Sequence, residues 1–302
     1  MSAPDFPTTF SVVNPVNSFV QFGKLTDNPT TEGCEGELQD CLPVAGLADL
    51  QFMVKLKFTG PDRENVLSYD FAASIDHTGS IEDEFDYTGL TIVDTGSEVD
   101  VSIYFKWNGS QTEFDNLPVN TCFQIFMYYF PSDSSAGPVK FGQTLNCFYK
   151  TVDTCYTSLV EYNNNDDAFG FEYTEAPSGE KPFYNKVRLP FYLHSPVFPE
   201  EQTTYQKSDG SSQKLSHRIW TDYKLKTDWW FKEWIKKFVV ATAHDNVFIT
   251  NGLSNLTHVA VVRTEALETT YQQEEIPRYL KGQSKGAIRL AAAEQNVNSN
   301  CL

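Results

Sequence analysis

Two runs in which every second residue is apolar constrain the fold of this chain most strongly. They span residues 50–58 and 99–105. Since successive side chains of a strand point to opposite faces, this period of two predicts β-strands with one buried face. The turn signal at 59–62 predicts that residues 66–73 return as the partner of the first strand. An Asn-Gly pair at 108–109 predicts a tight turn after the second strand.

Two other runs in the first half are apolar without alternation. Residues 122–130 are almost continuously apolar and aromatic, which is typical of a strand buried on both faces. Residues 142–149 form a similar, shorter run. Several short strands separated by turn signals predict a β-sandwich or barrel over 46–150.

The second half continues the β-rich pattern. Residues 187–193 alternate, but Pro190 has no backbone N–H to donate, so this strand is predicted to lie at an edge or to carry a bulge. The pair Asp-Gly at 209–210 predicts a turn. Residues 247–250 and 259–263 have the composition of strands.

One amphipathic helix is predicted near 228–242. Asp228 is in place to cap its N-terminus, and His244 follows its C-terminal end, where a cation meets the negative pole of the helix dipole. Apolar residues recur at helical spacing, which favours packing on a sheet. These residues are Trp230, Phe231, Trp234, Ile235 and Phe238.

We therefore predict a mainly β chain with two β-sandwich-like or barrel-like domains and one amphipathic helix in the C-terminal half. The first domain is predicted at 46–150 and the second β-rich domain at 151–280. Pro and turn residues in 1–45 predict an extended N-terminal arm. Glycines, basic residues and an Ala run in 281–302 predict a C-terminal tail.

The charge of the chain is unevenly distributed. The net charge of −17 argues against general nucleic-acid binding, because phosphate contacts need cationic side chains. Residues 1–200 hold 10 Lys/Arg and 29 Asp/Glu, whereas residues 201–302 hold 13 and 11. This asymmetry suits head-to-tail packing in a ring. The alternative is a solvated acidic surface that aids solubility.

The N-terminal sequence lacks a basic segment followed by an uninterrupted apolar segment, so no secretion signal is predicted. No run approaches the roughly 20 apolar residues of a membrane-spanning helix. We therefore expect synthesis in the cytoplasm.

Cysteines in a cytoplasmic protein are expected to stay reduced. The six cysteines have no C-x-x-C zinc spacing. Cys122, Cys147 and Cys155 stand beside aromatic residues and are interpreted as buried apolar residues. Pairing of Cys34 with Cys41 remains an alternative if the protein meets an oxidising medium.

The sequence Asp-Thr-Gly-Ser beginning at Asp94 matches the local pattern of an aspartic protease. That chemistry needs two carboxylates that share a proton. The chain contains no second Asp-Thr-Gly or Asp-Ser-Gly. The pattern is also typical of an ordinary turn between strands, which we favour.

Two acidic clusters are candidate cation sites. The first comprises Asn163, Asn165, Asp166 and Asp167 with Glu172 and Glu175, and the second comprises Glu82, Asp83, Glu84 and Asp86. Neither follows the spacing of an EF-hand, so solvated loops are favoured. The five histidines form no H-x-x-x-H or H-E-x-x-H pair. No metal, cofactor or catalytic residue is therefore assigned.

Aromatic residues between 220 and 234 suggest another class of function. Exposed aromatic rings stack on sugars, so a glycan-binding role is an alternative, although their helical spacing favours core packing. The residues concerned are Trp220, Tyr223, Trp229, Trp230 and Trp234.

Four segments of the second half carry a family resemblance. They are CYTSLVEYNNNDDAFGFEY from Cys155, NKVRLPFYLHSPVFPEE from Asn185, YQKSDGSSQKLS from Tyr205 and ATAHDNVFITN from Ala241. These segments resemble a type of virion protein from tailed phages and prophages of Bacteroidetes-like bacteria. The resemblance implies a structural component of the tail, neck or baseplate, built of β domains and present in many copies.

From this resemblance we expect a structural subunit that forms rings through inter-subunit contacts and has no enzyme activity. The expected partners are further copies of the chain and other virion structural proteins, without direct nucleic-acid binding or a membrane. The expected location is the virion, after assembly in the host cytoplasm. The alternatives are a glycan-binding module of a tail tip or appendage and a hydrolase that uses Asp94.

Overall fold

The computed structural model describes residues 9–15, 18–25, 41–46, 49–59, 70–75, 85–107, 115, 117–120, 122–130, 137–168, 170–171, 173, 183–271, 281–292 and 295–298. The chain divides into two compact units. Unit 1 comprises 1–153 and 163–189, and unit 2 comprises 154–162 and 190–302. Within the described part of the chain, no helix has the length and apolar character needed to span a membrane.

Strands dominate both units. In chain order, the elements are β1 (Phe10–Val13), β2 (Phe22–Lys24), β3 (Leu42–Val44), β4 (Gln51–Thr59), β5 (Asp70–Ser74), β6 (Phe85–Asp94), β7 (Glu98–Trp107), β8 (Cys122–Phe123), β9 (Phe126–Phe130), β10 (Val139–Thr144), β11 (Phe148–Lys150), β12 (Ser158–Asn163), β13 (Asn185–Leu189), β14 (Phe191–Val197), β15 (Glu200–Gln206), β16 (Ser212–Ile219), β17 (Asp222–Thr227), β18 (Trp230–Phe231), α1 (Lys232–Ala241), β19 (Asn246–Asn251), β20 (Leu256–Arg263), β21 (Glu268–Tyr271), β22 (Lys281–Leu290) and β23 (Gln295–Asn298). The prediction of a mainly β chain with sandwich-like sheets and a helix in the C-terminal half is confirmed.

Unit 1 contains an eight-stranded sheet in the order β1-β4-β7-β6-β5-β9-β10-β2. The two alternating runs of the sequence are β4 and β7, which pair antiparallel over nine positions. The register places Phe52 opposite Phe105 and Phe58 opposite Val99, and these four side chains are buried. The period of two thus locates one buried face of each strand, but the prediction that the other face is not buried is wrong at the centre of the pair. There Met53 and its partner Tyr104 are buried in a second cluster with Phe171, Tyr173 and Phe183.

The two edge strands of this sheet, β1 and β2, meet through one amide. The Asn14 side chain donates to the carbonyl of Phe22 at 2.8 Å and accepts from its N–H at 2.7 Å. Lys24 of β2 lies 4.4 Å from the ring centroid of Phe10 in β1. The sheet thus curls until its ends are bridged, as in a barrel.

A second, three-stranded sheet of unit 1 has the order β3-β11-β8. The apolar runs at 122–130 and 142–149 each contribute one strand to it and one to the larger sheet. The prediction of one strand per run is therefore wrong. The chain passes from the small sheet to the large sheet between β8 and β9. Thr144 stabilises this crossing, because its hydroxyl accepts from the N–H of Ile125 at 3.1 Å.

Two other predictions for unit 1 need correction. Strand β5 pairs with β6 and β9 rather than with β4, so the described part of the predicted partner strand, residues 70–73, does not return beside the first run. Residues 1–45 are not simply an arm, because β1, β2 and β3 belong to the sheets. Their short apolar segments are interrupted by Pro and Asn, which hides the strand signal.

Unit 1 buries one ion pair, between Arg188 and Asp49. The Arg188 Nε and Asp49 Oδ2 atoms lie 2.6 Å apart, and Arg188 Nη2 lies 3.1 Å from Asp49 Oδ1. The same carboxylate accepts from the N–H of Ala45 at 2.8 Å. Only 6–7% of either side chain is exposed, so this fork geometry replaces the lost hydration.

The main sheet of unit 2 has the order β12-β19-β20-β22-β17-β14, and β18 and β21 also pair with β22. Helix α1 buries its apolar side in the core, where the rings of Phe238, Phe191 and Trp230 lie 5.2–6.0 Å apart. Packing of an amphipathic helix against strands is what the spacing of the apolar residues predicts.

The predicted start of the helix is wrong, whereas the predicted contact of His244 with its C-terminal end is confirmed. The helix begins at Lys232 after Phe231, because Trp230 and Phe231 pair with β22 as a short strand. Asp228 caps the preceding turn instead, where its carboxylate accepts from the N–H of Trp229 at 2.8 Å. His244 lies beyond Thr242 and hydrogen-bonds through Nδ1 to the carbonyl of Val240 at 2.8 Å.

The predicted C-terminal tail contains a central strand, β22. It pairs with β17, β18, β20 and β21. Its glycines serve close packing, since a Cβ at Gly282 would lie 2.7 Å from Thr269 and one at Gly286 would lie 2.8 Å from Leu267. The glycines that suggest flexibility in the sequence are therefore required by the sheet.

A three-stranded sheet, β15-β16-β23, completes unit 2. Every residue of β15 is exposed, and the turn at its end is the predicted Asp-Gly turn, with Gly210 at φ 83°. The run at 187–193 is interrupted at Pro190, where β13 ends and β14 begins. The Pro190 carbonyl accepts from the N–H of Asp228 and from Trp230 Nε1.

The cysteines depart from the expected reduced state. Cys147 is in a disulfide, whereas Cys41, Cys122 and Cys155 carry thiols. The alternative of a Cys34–Cys41 bond is therefore wrong. Cys41 is buried, but Cys155 is exposed, which corrects its interpretation as a core residue. Cys34 and Cys301 lie outside the described residues.

Candidate functional site

A cavity of about 490 Å³ opens on the outer side of the main sheet of unit 2. Strands β14, β17, β21 and β22 supply most of its wall. The lining residues are His194, Val197, Asp222, Tyr223, Lys224, Leu225, Lys226, Glu265, Ala266, Glu268, Lys285, Gly286 and Ala287. A cavity of this size is typical of binding sites for small groups or short chain segments.

The register of the sheet sets the charges of the cavity. In one row across the strands, Tyr192, Lys226, Lys285 and Glu268 are successive partners. In the next row, His194, Lys224 and Ala287 are partners. Lys224 and Lys226 share the outer face because Leu225 and Thr227, which alternate with them, are buried. The strand partners of these two lysines include no carboxylate.

The electrostatic effect of the two lysines is visible at His194. Burial lowers the pKa of His194, and the charges of Lys224 and Lys226 lower it further. The imidazole is therefore mainly neutral at neutral pH, because a proton on it would be both desolvated and repelled. The middle of the cavity wall favours negative groups over positive ones.

An arginine fork closes one end of the lysine rows. Arg289 Nε lies 2.7 Å from Asp222 Oδ1, and Nη2 lies 3.0 Å from Oδ2. The Arg289 guanidinium also lies 5.3 Å from the ring centroid of Trp220. The hydrogen bond that Arg289 donates to Asp222 raises the pKa of Arg289 above its ordinary value. This pair fixes the position of Asp222 at the cavity wall. Lys285 lies opposite Glu268, whereas Lys224 and Lys226 have no carboxylate among their strand partners.

Aromatic rings line the opposite end of the rows. The rings of Tyr192 and His194 lie 5.6 Å apart, and Tyr156 packs edge-on against Tyr192 at 5.5 Å. Tyr156 is 59% exposed. An accessible aromatic ring therefore lies beside this row of residues, although Tyr156 and Tyr192 are not among the residues that line the cavity.

His194 and Ser195 supply only part of a catalytic Ser-His arrangement at this cavity. His194 Nδ1 and the neighbouring Ser195 hydroxyl lie 2.9 Å apart. A catalytic Ser-His arrangement also needs a group that orients the imidazole, which is usually a carboxylate. Among the described residues, no carboxylate hydrogen-bonds to His194.

The Asp-Thr-Gly-Ser sequence forms the turn of the β6–β7 hairpin. The Asp94 carboxylate accepts from the N–H of Gly96 at 2.7 Å, and Gly96 has φ 85°. The Thr95 N–H donates to the Glu98 carbonyl at 3.0 Å. An Asp that caps its own turn in this way has a structural reason to be there.

The acidic clusters remain weak candidates. Asp166 and Asp167 are exposed in a turn before the bridge between Ala168 and Phe171. Glu172, Glu175 and residues 82–84 lie outside the described residues, and the side chain of Asp86 is not described. In the described part of the chain, no group of three or more His, Cys, Asp or Glu residues has the arrangement of a metal site.

The remaining histidines are found in separate settings. His217 pairs with Glu200 at 3.0 Å, and His258 Nδ1 lies 2.8 Å from Glu161 while its ring stacks on Phe248. Burial lowers the pKa of His244. His77 lies outside the described residues.

The tryptophans that suggest sugar binding do not form one exposed row. Trp230 and Trp234 are buried, whereas Trp229 is 41% exposed and Trp220 packs against Arg289. Tyr223 alone among these candidates lines the cavity.

The lysines of the cavity were not predicted as site residues from the sequence. The alternation of Lys224 and Lys226 with Leu225 and Thr227 is the local signal that places both lysines on one face.

Comparison of the chain with family models, with curated proteins and with solved structures gave no significant match. The function proposed below is therefore inferred from the charges and side chains of this chain.

Proposed function

We propose that this chain is a structural subunit of a phage tail, neck or baseplate assembly, which forms rings by head-to-tail contacts between copies. The observation that carries the proposal is the division of charge between the two units. Unit 1 holds 10 Lys/Arg and 27 Asp/Glu, a net charge of −17, whereas unit 2 holds 13 of each. The lysine face of the cavity belongs to the neutral unit.

Such a division favours contacts between unlike surfaces. Two copies that present unit 1 to each other repel, because both surfaces are strongly acidic. A copy that presents unit 1 to the Lys224–Lys226–Lys285 face of the next copy gains complementary charge. A contact between two different surfaces is heterologous, and a heterologous contact closes into a ring when its rotation permits.

The family resemblance supports the placement in a virion. The segments from Cys155, Asn185, Tyr205 and Ala241 resemble structural proteins of tailed phages, and such proteins are built of β domains. Much of this sequence lies in β12, β14, β15 and β19 of unit 2. Under the proposal, the partners are other copies of the chain and other virion structural proteins, and assembly takes place in the host cytoplasm.

Light scattering of the purified chain tests the ring. At about 0.05 M salt we expect a discrete oligomer, and at about 0.5 M salt we expect dissociation, because salt screens exposed charges. A variant with Lys224, Lys226 and Lys285 changed to Glu should remain monomeric at low salt. A matched variant with Lys207, Lys232 and Lys236 changed to Glu carries the same charge change away from the cavity and should still assemble.

Two results would contradict the proposal. The first is a monomer at low salt and high protein concentration in the unchanged chain. The second is equal loss of assembly in both triple variants, since net charge rather than the cavity face would then be responsible. Absence of the chain from purified particles, as measured by mass spectrometry, would remove the virion assignment.

Glycan binding by a tail-tip module is a second candidate. The exposed Tyr156 ring beside Tyr192 favours it, because sugars stack on accessible aromatic faces while polar groups bind their hydroxyls. A glycan array should then show binding that Tyr156→Ala and Tyr192→Ala abolish. Tyr205→Ala, at an exposed tyrosine of β15, is the control and should leave binding unchanged. Equal signals from all three variants would exclude this candidate.

A further inference from the structure

Three cysteines of unit 1 lie at the small sheet β3-β11-β8. Cys41 immediately precedes β3, Cys147 immediately precedes β11, and Cys122 begins β8. Cys147 is in a disulfide. Cys41 and Cys122 carry thiols, and their Sγ atoms lie 3.3 Å apart.

We propose that Cys41 and Cys122 form a second disulfide, which links β3 to β8, when the protein meets a low-molecular-weight disulfide such as oxidised glutathione. A disulfide bond is about 2.05 Å long. The two sulfurs therefore need to approach by a little over 1 Å. This modification site is independent of the cavity in unit 2 and of ring formation.

The surrounding sheet keeps the two thiols together. The N–H of Leu42 donates to the Cys147 carbonyl at 2.9 Å, so the chain beside Cys41 is fixed to the chain before β11. Phe123, which follows Cys122, stacks on Phe148 with ring centroids 5.7 Å apart. Leu42, Phe123 and Phe148 are all buried. Thiols held in contact by packed strands react as an intramolecular pair.

The exposure of the two sulfurs sets the order of the reaction. Cys122 is partly exposed, whereas Cys41 is 2% exposed. The Cys122 thiolate attacks one sulfur of the glutathione disulfide, forms a mixed disulfide and releases one glutathione thiolate. The Cys41 thiolate then attacks Cys122 Sγ and releases the second glutathione thiolate. Two protein thiols lose two electrons and two protons, and one glutathione disulfide gains them.

Cys155 provides a contrast within the same chain. It is an exposed thiol in unit 2. Replacing Cys155 by Ser leaves both thiols of the Cys41–Cys122 contact in place, so Cys155→Ser is the matched control.

Peptide mass mapping of the full chain tests the proposal. The protein is incubated with oxidised glutathione, its remaining thiols are alkylated, and it is digested after Lys, Arg and Glu. This digestion places each of the six cysteines in a different peptide. We expect a linked pair of the Cys41 and Cys122 peptides whose mass is lower by two hydrogens. The Cys155→Ser variant should give the same linked pair.

The thermal stability gives a second readout. A bond between residues that are 81 positions apart restricts the unfolded chain strongly, so oxidation should raise the melting temperature by roughly 5–10 °C. The rise should occur in the unchanged chain and in Cys155→Ser, but not in Cys122→Ser. Persistence of glutathione on Cys122, continued alkylation of Cys41, or linkage of either to the Cys147 partner would overturn the proposal.

Discussion

Each unit contains a bidentate Arg–Asp pair, and the two pairs lie in opposite environments. Arg188 and Asp49 of unit 1 are 6–7% exposed, whereas Arg289 and Asp222 of unit 2 are 31% and 13% exposed. The buried pair belongs to the unit whose net charge is −17, and the partly exposed pair belongs to the neutral unit. The same pair of residue types thus serves two purposes.

The difference shows how burial changes what an ion pair contributes to the stability of a fold. In unit 1, each charge needs the other because water is excluded, so the pair fixes where Arg188 of β13 lies relative to Asp49. In unit 2, water solvates much of Arg289, so the pair contributes little to folding. Its role there is to hold Asp222 and Trp220 in place at the edge of the cavity.

The largest expected effect comes from breaking the buried pair. Arg188→Met leaves the Asp49 carboxylate buried with a single backbone N–H donor, and we expect the free energy of unfolding to fall by about 3–5 kcal/mol. Urea denaturation followed by circular dichroism measures this loss. Adding Asp49→Asn should recover part of it, because the unpaired charge is removed. A loss below about 1 kcal/mol would show that water reaches this pair.

A smaller loss of stability is expected when the partly exposed pair of Arg289 and Asp222 is broken. Arg289→Met should lower the free energy of unfolding by about 0.5–1 kcal/mol, because solvent screens much of the interaction. The difference should shrink as salt is added in the same urea experiment. Arg289→Lys keeps the charge but loses the fork, so it tests geometry against charge. A salt-independent loss would point instead to the Trp220 contact.

The smallest expected effect is a pH dependence confined to unit 2, which contains four of the five histidines. Burial lowers the pKa of His244 from 6.5. The unfolded chain therefore takes up a proton first as the pH falls, and stability is lost from about pH 7 downward through 6.5 until the folded histidine also titrates. His244→Gln should remove part of this loss in urea denaturation between pH 7 and 5.

The companion variant is His194→Gln, because burial also lowers the pKa of His194. It should remove a further part of the loss of stability below pH 7. An identical pH profile for the unchanged chain and His244→Gln would show that His244 accepts its proton equally well in both states.

Local patterns in the sequence predict where strands lie better than how they are buried. The period of two locates β4 and β7, but it predicts one buried face, whereas Met53 and Tyr104 are buried on the other face. The spacing of its apolar residues predicts helix α1, but it does not predict that the helix begins at Lys232. Pairing of Trp230 and Phe231 with β22 depends on residues about 50 positions later, which no local window contains.

The cavity follows from long-range register, which the sequence does not display. Lys224 and Lys285 face one wall only because β17 and β22 are neighbours with one particular alignment. A shift of one residue would turn Lys224 and Lys226 into the core. The mistaken tail has the same origin, since Gly282 and Gly286 read as flexible until the strands that crowd them are known.

The amide of Asn14 also determines how the protein tolerates proteolysis. Because β1 and β2 are the two ends of the eight-stranded sheet, a single cut that releases residues 1–25 would uncover β4 and β10 together. Both would then present unsatisfied N–H and C=O groups to other chains, which is a template for aggregation. The segment that contains β1 and β2 thus covers both edges of this sheet and prevents it from pairing with a strand of another chain.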